Sequence, residues 1–417
     1  MEVTATKSTL KRYLIFWTGQ QFSLLGSSVV QFVIPLYIVL QTESAVYLSI
    51  ASFFAFLPQF ILMPLAGVYV DRLNRKLVIA ISDSFQALST FSIILLFFLN
   101  LESIWVIIII NSIRGLCQAF HWPATNAIIP LMIPKEHLSR LNGLNYFFIG
   151  LISTIGPLIA ASLIIIFPIE QILWVDIVTF LIAIIPLILI KIPKISEDIM
   201  ENNSFLKELM EGIKVIRSVP GLLILLFIAT MINFFGQPFS TLLPYFITIF
   251  HGGSEVDLGI ISAIIQGGMF LGAIIVSLRK HWRNKAVIIF SGLIIGDIGH
   301  LMLSFAPLGN YLLIGIGGLI FAFIIPFVNT MFLTILQSTI PHKTQGRVMS
   351  IVLTIATAVS PLAMILSGPL AEMLGVVPLF AISAGLDMTI VTLIWIFTGV
   401  SKINYDEISE MIENYNK

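Results

Sequence analysis

The most constraining feature of this sequence is a succession of apolar runs, each long enough to cross a hydrocarbon layer, with short polar breaks between them. A bilayer core about 30 Å thick takes about 20 residues of α-helix. Twelve runs of that length fit the chain, at 13–40, 45–70, 77–99, 103–127, 141–167, 170–191, 220–249, 257–279, 286–306, 310–337, 346–374 and 377–400. In lipid every backbone N–H and C=O must be satisfied within the protein, which leaves helices or a closed barrel. Barrel strands alternate apolar and polar residues over about ten positions, and runs such as Ile104 to Ile113 do not. The expected fold class is therefore all-α, with 12 transmembrane helices. Composition agrees, since only 11% of the residues are charged, about half the share usual in soluble domains.

Run 1 follows Lys7, Lys11 and Arg12, yet it is too long for a signal-peptide core and lacks a small-residue cleavage site, so it reads as a retained helix. The formal net charge of zero gives no reason to expect a nucleic-acid partner. Cys117 is the single cysteine, which excludes an internal disulfide, and the six histidines show no paired ligand spacing. No Walker-type phosphate loop is present. Neither a metal nor another cofactor is expected, and the chain is not expected to be an enzyme.

The basic residues sort to one side. Lys7, Lys11 and Arg12 precede run 1, Arg72, Arg75 and Lys76 follow run 2, and Lys135 and Arg140 follow run 4. Lys191, Lys194, Lys207, Lys214 and Arg217 surround the connection between runs 6 and 7. Arg279, Lys280, Arg283 and Lys285 follow run 8, Lys343 and Arg347 follow run 10, and Lys402 and Lys417 lie beyond run 12. The opposite connections hold acids only: Glu43, Glu102, Glu170, Glu255 and Asp257. The positive-inside rule then expects both termini in the cytoplasm and a multi-pass protein of the cell membrane. Arg114 is the one basic residue left by this sorting, and it lies in the interior of run 4, away from either end.

The longest polar break splits the chain six and six. The expected organisation is an N-terminal six-helix bundle at 1–192, a cytoplasmic linker at 193–218, a C-terminal bundle at 219–401 and a tail at 402–417. Phe205, Leu209, Ile213 and Ile216 recur at helical spacing in the linker and predict a short amphipathic surface helix. Internal echoes support two related halves. Pro123 to Asn126 returns as Pro326 to Asn329 at an offset of 203, and Pro134 with Arg140 returns as Pro341 with Arg347. Gly156-Pro157-Leu158 returns as Gly368-Pro369-Leu370, and Asp176 as Asp387. Parallel repeats of this kind place a binding cavity at their interface.

The segment from Gly67 through Asp71, Arg72 and Arg75 to Lys76 resembles the loop signature of the major facilitator superfamily, with Asn74 where the family usually has glycine. Asn111 to Ala119, enclosing Arg114, Gly115 and Gln118, looks like the second motif of its drug:proton antiporter branch. Gly150, Gly156 and Pro157 partly match the antiporter motif of that branch, with Ala160 and Ala161 in place of a glycine pair. Phe120 to Ala127 followed by Pro130 is similar to the macrolide-efflux group. The resemblance implies a two-bundle secondary transporter working by alternating access, driven by the proton gradient, exporting an amphipathic small molecule. It implies membrane lipids as surroundings and a monomer. A lipid, siderophore or other metabolite as cargo, with other coupling or direction, is the alternative on the same fold.

Within that frame Gly67, Asp71, Arg72, Arg75 and Lys76 are the expected conformational latch. Arg114 in mid-bilayer costs about 2.5–3.5 kcal/mol on the lenient insertion scale, so it is expected to face a wet cavity or a carboxylate, either for coupling or as a structural ion pair. Asp83 and His121 lie at a similar depth, about 9 Å from the cytoplasmic ends of runs 3 and 4 at helical rise, and join Arg114 as proton-coupling candidates. Run 1 carries no acid, where many proton-coupled members of the family have one. The resemblance makes runs 1, 4, 7 and 10 the cavity lining. Their amides are Gln20, Gln21, Gln31, Asn111, Gln118, Asn233, Gln237, Asn329 and Gln337, with Phe16, Trp17, Phe234 and Phe235 as apolar walls. Asp176, Asp297, His300 and Asp387 lie on runs 6, 9 and 12, peripheral in the family, and are expected to form structural hydrogen bonds. Pro35, Pro157, Pro244 and Pro361 mark expected bends.

Overall fold

A computed structural model describes residues 7–190, 192, 213–279, 282–340 and 342–408; within its helices the side chains of residues 7, 64, 65, 67, 68, 71, 72, 130, 135, 139, 342–344, 346 and 347 lie outside the description. Among the described residues there is no strand, and twelve helices have the length and apolarity to cross a membrane. They are α1 (Lys7–Thr42), α2 (Ala45–Arg72), α3 (Arg75–Phe98), α4 (Ile104–Met132), α5 (Lys135–Ile164), α6 (Ile169–Leu189), α7 (Leu222–Phe250), α8 (Glu255–Leu278), α9 (Lys285–Ser304), α10 (Tyr311–Thr339), α11 and α12 (Val376–Phe397). α11 comes in two pieces, His342–Thr357 and Ser360–Leu374.

Local chemistry explains where these helices begin and bend. Ser44 caps α2, its hydroxyl accepting from the N–H groups of Val46 at 3.2 Å and Tyr47 at 3.5 Å. The Asn310 side chain caps α10 through Leu313 N–H at 3.1 Å. Pro361 in α11 has no N–H to give the carbonyl four residues back, and the helix breaks at Ala358 and Val359 just before it. α6 is interrupted at Leu173, between Ile169–Ile172 and Trp174–Leu189. α7 ends in a π-helical turn, Phe246–Phe250; there the Thr248 hydroxyl donates to the Pro244 carbonyl at 2.7 Å. Helix α5 starts about two turns before its apolar run, because Pro134 at its N-cap and Glu136 in its first turn suit a helix start.

The chain forms two compact units. One holds α1 to α6 with Leu243–Ala263, and the other holds the rest of α7 and α8 with α9 to α12. Of the linker helix only residues 213–218 are described, and they are helical; Phe205 and Leu209 lie outside the described residues.

The first unit is layered along its helices. At one end Tyr13 and Phe16 of α1, Ile79 of α3, Ala124 and Ile128 of α4 and Leu187 of α6 pack into an apolar cluster. At the other, Val29 and Val33 of α1, Ile93 of α3, Ile107 and Ile108 of α4 and Ile172 and Leu173 of α6 form a second. The stretches between them carry Gln20, Asp83, Thr90, Arg114 and Asp176, all buried. A polar belt thus lies sealed between two greasy plugs. Gly115, beside Arg114, brings α4 against α2, since a Cβ there would strike the Ala55 carbonyl oxygen.

The second unit is built on α9, which packs between α10 and α12. Gly299 of α9 and Gly317 of α10 meet backbone to backbone: a Cβ on Gly299 would lie 2.7 Å from the Gly317 carbonyl oxygen, and one on Gly317 would lie 2.6 Å from that of Gly299. Leu225 and Leu226 of α7, Phe290 of α9, Ile335 and Leu336 of α10 and Val391 of α12 fill its core. Lys285 at the start of α9 is paired with Asp406.

Candidate functional site

The polar belt of the first unit contains two connected groups. The first is centred on Arg114. Its guanidinium Nη1 donates to Asp176 Oδ2 at 2.8 Å, to the Gln86 carbonyl at 3.2 Å and to the Thr90 hydroxyl. Thr90 Oγ1 in turn donates to Asp176 Oδ2 at 2.5 Å, and Ser27 Oγ reaches Asp176 Oδ1 at 3.2 Å. Arg114 and Asp176 are only 6% and 4% exposed, so this is a buried ion pair whose carboxylate also accepts from the Thr90 and Ser27 hydroxyls. Helices α1, α3, α4 and α6 each contribute a partner. Of the two roles expected for Arg114, cavity cation or ion-pair member, the geometry supplies the pair; its carboxylate, Asp176, is the residue expected to do structural hydrogen bonding.

The second group joins Gln20, Asp83 and His121. His121 Nε2 lies 3.0 Å from Asp83 Oδ1 and 3.0 Å from Gln20 Oε1, while Gln20 Nε2 donates to Asp83 Oδ2 at 3.1 Å. Three helices, α1, α3 and α4, converge on this triangle. Asp83 is buried, whereas the His121 side chain keeps 18% of its surface exposed. A carboxylate beside an imidazole, with an amide bonded to both, can hold a proton on either member and release it on the exposed side. Sequence reasoning found Asp83 and His121 from their matching depth; Gln20 stood among cavity amides, and nothing in the sequence tied it to this acid.

The other predicted residues scatter more. Gln21 Oε1 is buried without a hydrogen-bond partner among the described residues. Asn233 donates to the Ala229 carbonyl at 2.8 Å, one turn back on its own helix, and Gln237 reaches Thr241 Oγ1 at 3.5 Å. Gln31, Asn329 and Gln337 are exposed, while Asn111 and Gln118 are half-buried. Phe16 is core, Trp17 bonds Asn145 Oδ1 at 3.0 Å through its indole N–H, and Phe234 stacks edge-on against Phe235 at 5.3 Å. On α5, Gly156 lies against Ser28 of α1, Pro157 and Ala161 take the approach of Gly259, and the Gly150 carbonyl accepts from Thr154 Oγ1 at 2.9 Å.

At the predicted latch, Gly67, Asp71 and Arg72 lie in α2 with side chains outside the description. The remainder is ordered by helix ends. Arg75 Nη1 donates to the Ala127 carbonyl at 3.3 Å. Lys76 Nζ donates to the carbonyls of Ile188 at 2.5 Å and Ile190 at 2.8 Å, a cation on the C-terminal end of α6. Asn74, where glycine is usual, is the N-cap of α3: its Oδ1 accepts from the N–H groups of Lys76 at 3.1 Å and Leu77 at 3.4 Å. Asn74→Ala should therefore cost about 1 kcal/mol and Asn74→Gly only a few tenths. Thermal unfolding of the detergent-purified variants checks the order; equal losses would remove the cap from the account.

The second unit buries Asp297, His300 and Asp387, on α9 and α12, behind Phe239, Phe321 and Phe380. Structural hydrogen bonding was the expectation for all three. Yet Asp297 Oδ2, His300 Nε2 and Asp387 Oδ1 have no hydrogen-bond partner among the described residues.

Comparison with known proteins agrees with this architecture. Macrolide efflux protein A of Streptococcus pyogenes is 28% identical over 397 residues, covering 95% of this chain and 98% of the relative. The Staphyloferrin A transporter of Staphylococcus aureus is 24% identical over 92% of this chain and 95% of its own length. A crystal structure of the nucleoside transporter NupG shares the fold at a TM-score of 0.70 and 14% identity, covering 96% of this chain and 100% of that one. The pattern of the Major Facilitator Superfamily matches residues 16–364. With twelve membrane-length helices and a family match over most of its length, this multi-pass membrane protein belongs to the Major Facilitator Superfamily.

Proposed function

We propose that this chain is a proton-coupled exporter of amphipathic small molecules, working by alternating access between its two six-helix halves. The observation that carries the coupling is the Gln20–Asp83–His121 triangle, a buried acid hydrogen-bonded to a partly exposed imidazole. In this reading Asp83 and His121 take the proton, and Gln20 transmits the change of charge to α1. Arg114 holds the belt in register through Asp176. Gln21, Gln31, Asn111, Gln118, Asn233, Gln237, Asn329 and Gln337 offer polar contacts to cargo, and Gly67, Asp71, Arg72, Arg75 and Lys76 act as the latch. In this reading the protein is a plasma-membrane monomer with both termini in the cytoplasm, as the one-sided basic loops support, and lipid and a small-molecule substrate are its partners. Catalysis is not part of this role.

Efflux of a macrolide-like cargo rests on the end-to-end similarity to the macrolide relative. A siderophore cargo is the second reading, favoured by the similarity to the staphyloferrin A relative. Inside-out membrane vesicles separate them: with an imposed proton gradient, uptake of a radiolabelled macrolide is expected and should collapse on adding a protonophore. Uptake that survives the protonophore would remove proton coupling, and uptake of a siderophore in place of the macrolide would select the second reading.

A further inference from the structure

The three buried groups of the second unit share one space. Asp297, His300, Ser383 and Asp387 line a gap of about 10 Å³, enough for about one water, with Phe235 and Phe321 among its walls. Asp297 and Asp387 are each 4% exposed and His300 1%. Their unpartnered atoms are two carboxylate oxygens and one imidazole nitrogen. A single water would find three partners there and so meet the hydrogen-bond demand, but it would leave the charge untouched. Two uncompensated carboxylates enclosed by aromatic rings carry a penalty that hydrogen bonds alone do not remove.

Among the described residues no Lys or Arg lines the gap. Helices α7, α10 and α12 contain no Lys or Arg, and α7 and α10 contain no titratable acid or histidine. They turn Ile232, Phe235, Gly236 and Phe321 toward the gap. Lys285 is the only Lys or Arg of α9; it lies twelve positions before Asp297, about 18 Å along the helix, and is held by Asp406. The repeat makes the contrast sharp. Asp176 in the first unit, the counterpart of Asp387, has Arg114 as its cation, and the offset of 203 that carries Pro123 to Pro326 carries Arg114 to Gly317. Close packing of Gly317 on Gly299 leaves no room for a side chain there.

A mobile cation must then supply what Arg114 supplies in the first half. Asp297, His300 and Asp387 do not converge as ligands of a metal ion, and an imidazole nitrogen is a poor ligand for a hard alkali cation but a good base for a proton. We propose that Asp297 and Asp387 form a proton-binding site in the second unit, in which one hydron is shared between the two carboxyls, directly or through the enclosed water, with His300 as the exchange partner. Binding forms an O–H bond on one carboxyl and leaves the other as its acceptor. Release returns the hydron through the imidazole nitrogen. The site stands whether or not the cargo and coupling proposed above are right.

Infrared spectroscopy of the full-length protein in liposomes tests it without transport. A C=O stretch of a protonated carboxyl shielded from water is expected at neutral pH, shifting in heavy water and fading as the pH is raised. Aspartate isotopically labelled at its side-chain carboxyl should move the band in the unmutated protein, which keeps the test independent of how variants fold. The Asp297→Asn/Asp387→Asn double variant should lack the band, and His300→Gln should slow its exchange in heavy water. Absence of an aspartate-derived band, an aspartate-derived band undiminished in the double variant, or its displacement by sodium at constant pH would overturn the proposal.

Discussion

Asp176→Ala is expected to destabilise the protein by about 3–5 kcal/mol, the usual consequence of leaving one member of a buried ion pair without the other. The Arg114 guanidinium would keep the Thr90 hydroxyl and the Gln86 carbonyl but lose its only charged partner among the described contacts. Ser27 would lose its carboxylate acceptor at the same moment, and Thr90 would be left with the Gln86 carbonyl at 3.2 Å. Removing both charges in an Arg114→Leu/Asp176→Leu double variant should recover most of the loss, because two apolar side chains at the boundary of the apolar clusters need no compensation. Thermal unfolding in detergent reads both effects. A single-variant loss under about 1 kcal/mol would mean that water reaches the pair and screens it, as at exposed bridges. Transport by the double variant then assigns Arg114: full export from a well-folded double variant would make the pair purely structural, and a folded but inactive one would place the guanidinium on the path of cargo or proton.

What the sequence reveals, and where it stops, follows from which distances are local. Helix length and number are properties of apolar runs, so the fold class could be read directly. Depth in the membrane is also local, and it placed Asp83 and His121 at one level. Rotation of one helix about its axis relative to another is not local. Arg114 and Asp176 lie 62 positions apart, and no periodicity in α4 or α6 alone says that their side chains share a face. The same holds for Gln20, whose amide turns to Asp83 because Phe16 and Val29 fix the register of α1 in the two apolar clusters. Asp297 and His300, one turn apart, looked like ordinary helix-to-helix bonding groups, and only the packing of Phe239, Phe321 and Phe380 around them exposes their lack of partners.

Asp83→Asn is expected to lower gradient-driven export at least about tenfold, an effect of ~1.4 kcal/mol or more, while substrate exchange without a gradient continues. The substitution keeps the shape of the side chain and one carbonyl oxygen. It removes the anion that lies 3.0 Å from His121 Nε2, and its amide nitrogen can only donate where the carboxylate accepted, either toward His121 or toward Gln20. His121→Gln should give the same separation of exchange from coupled transport, because an amide can bond Asp83 and Gln20 but cannot carry a proton at neutral pH. Proteoliposomes measured first for counterflow and then under an imposed proton gradient distinguish loss of coupling from loss of binding. If both variants accumulate substrate at the unmutated rate under the gradient, the triangle in the first unit is packing, and coupling must be sought at acids lacking a fixed counter-ion. Among the described residues Asp297 and Asp387 are the buried acids in that position, so the same assay on Asp387→Asn would then decide which half of the repeat carries the proton.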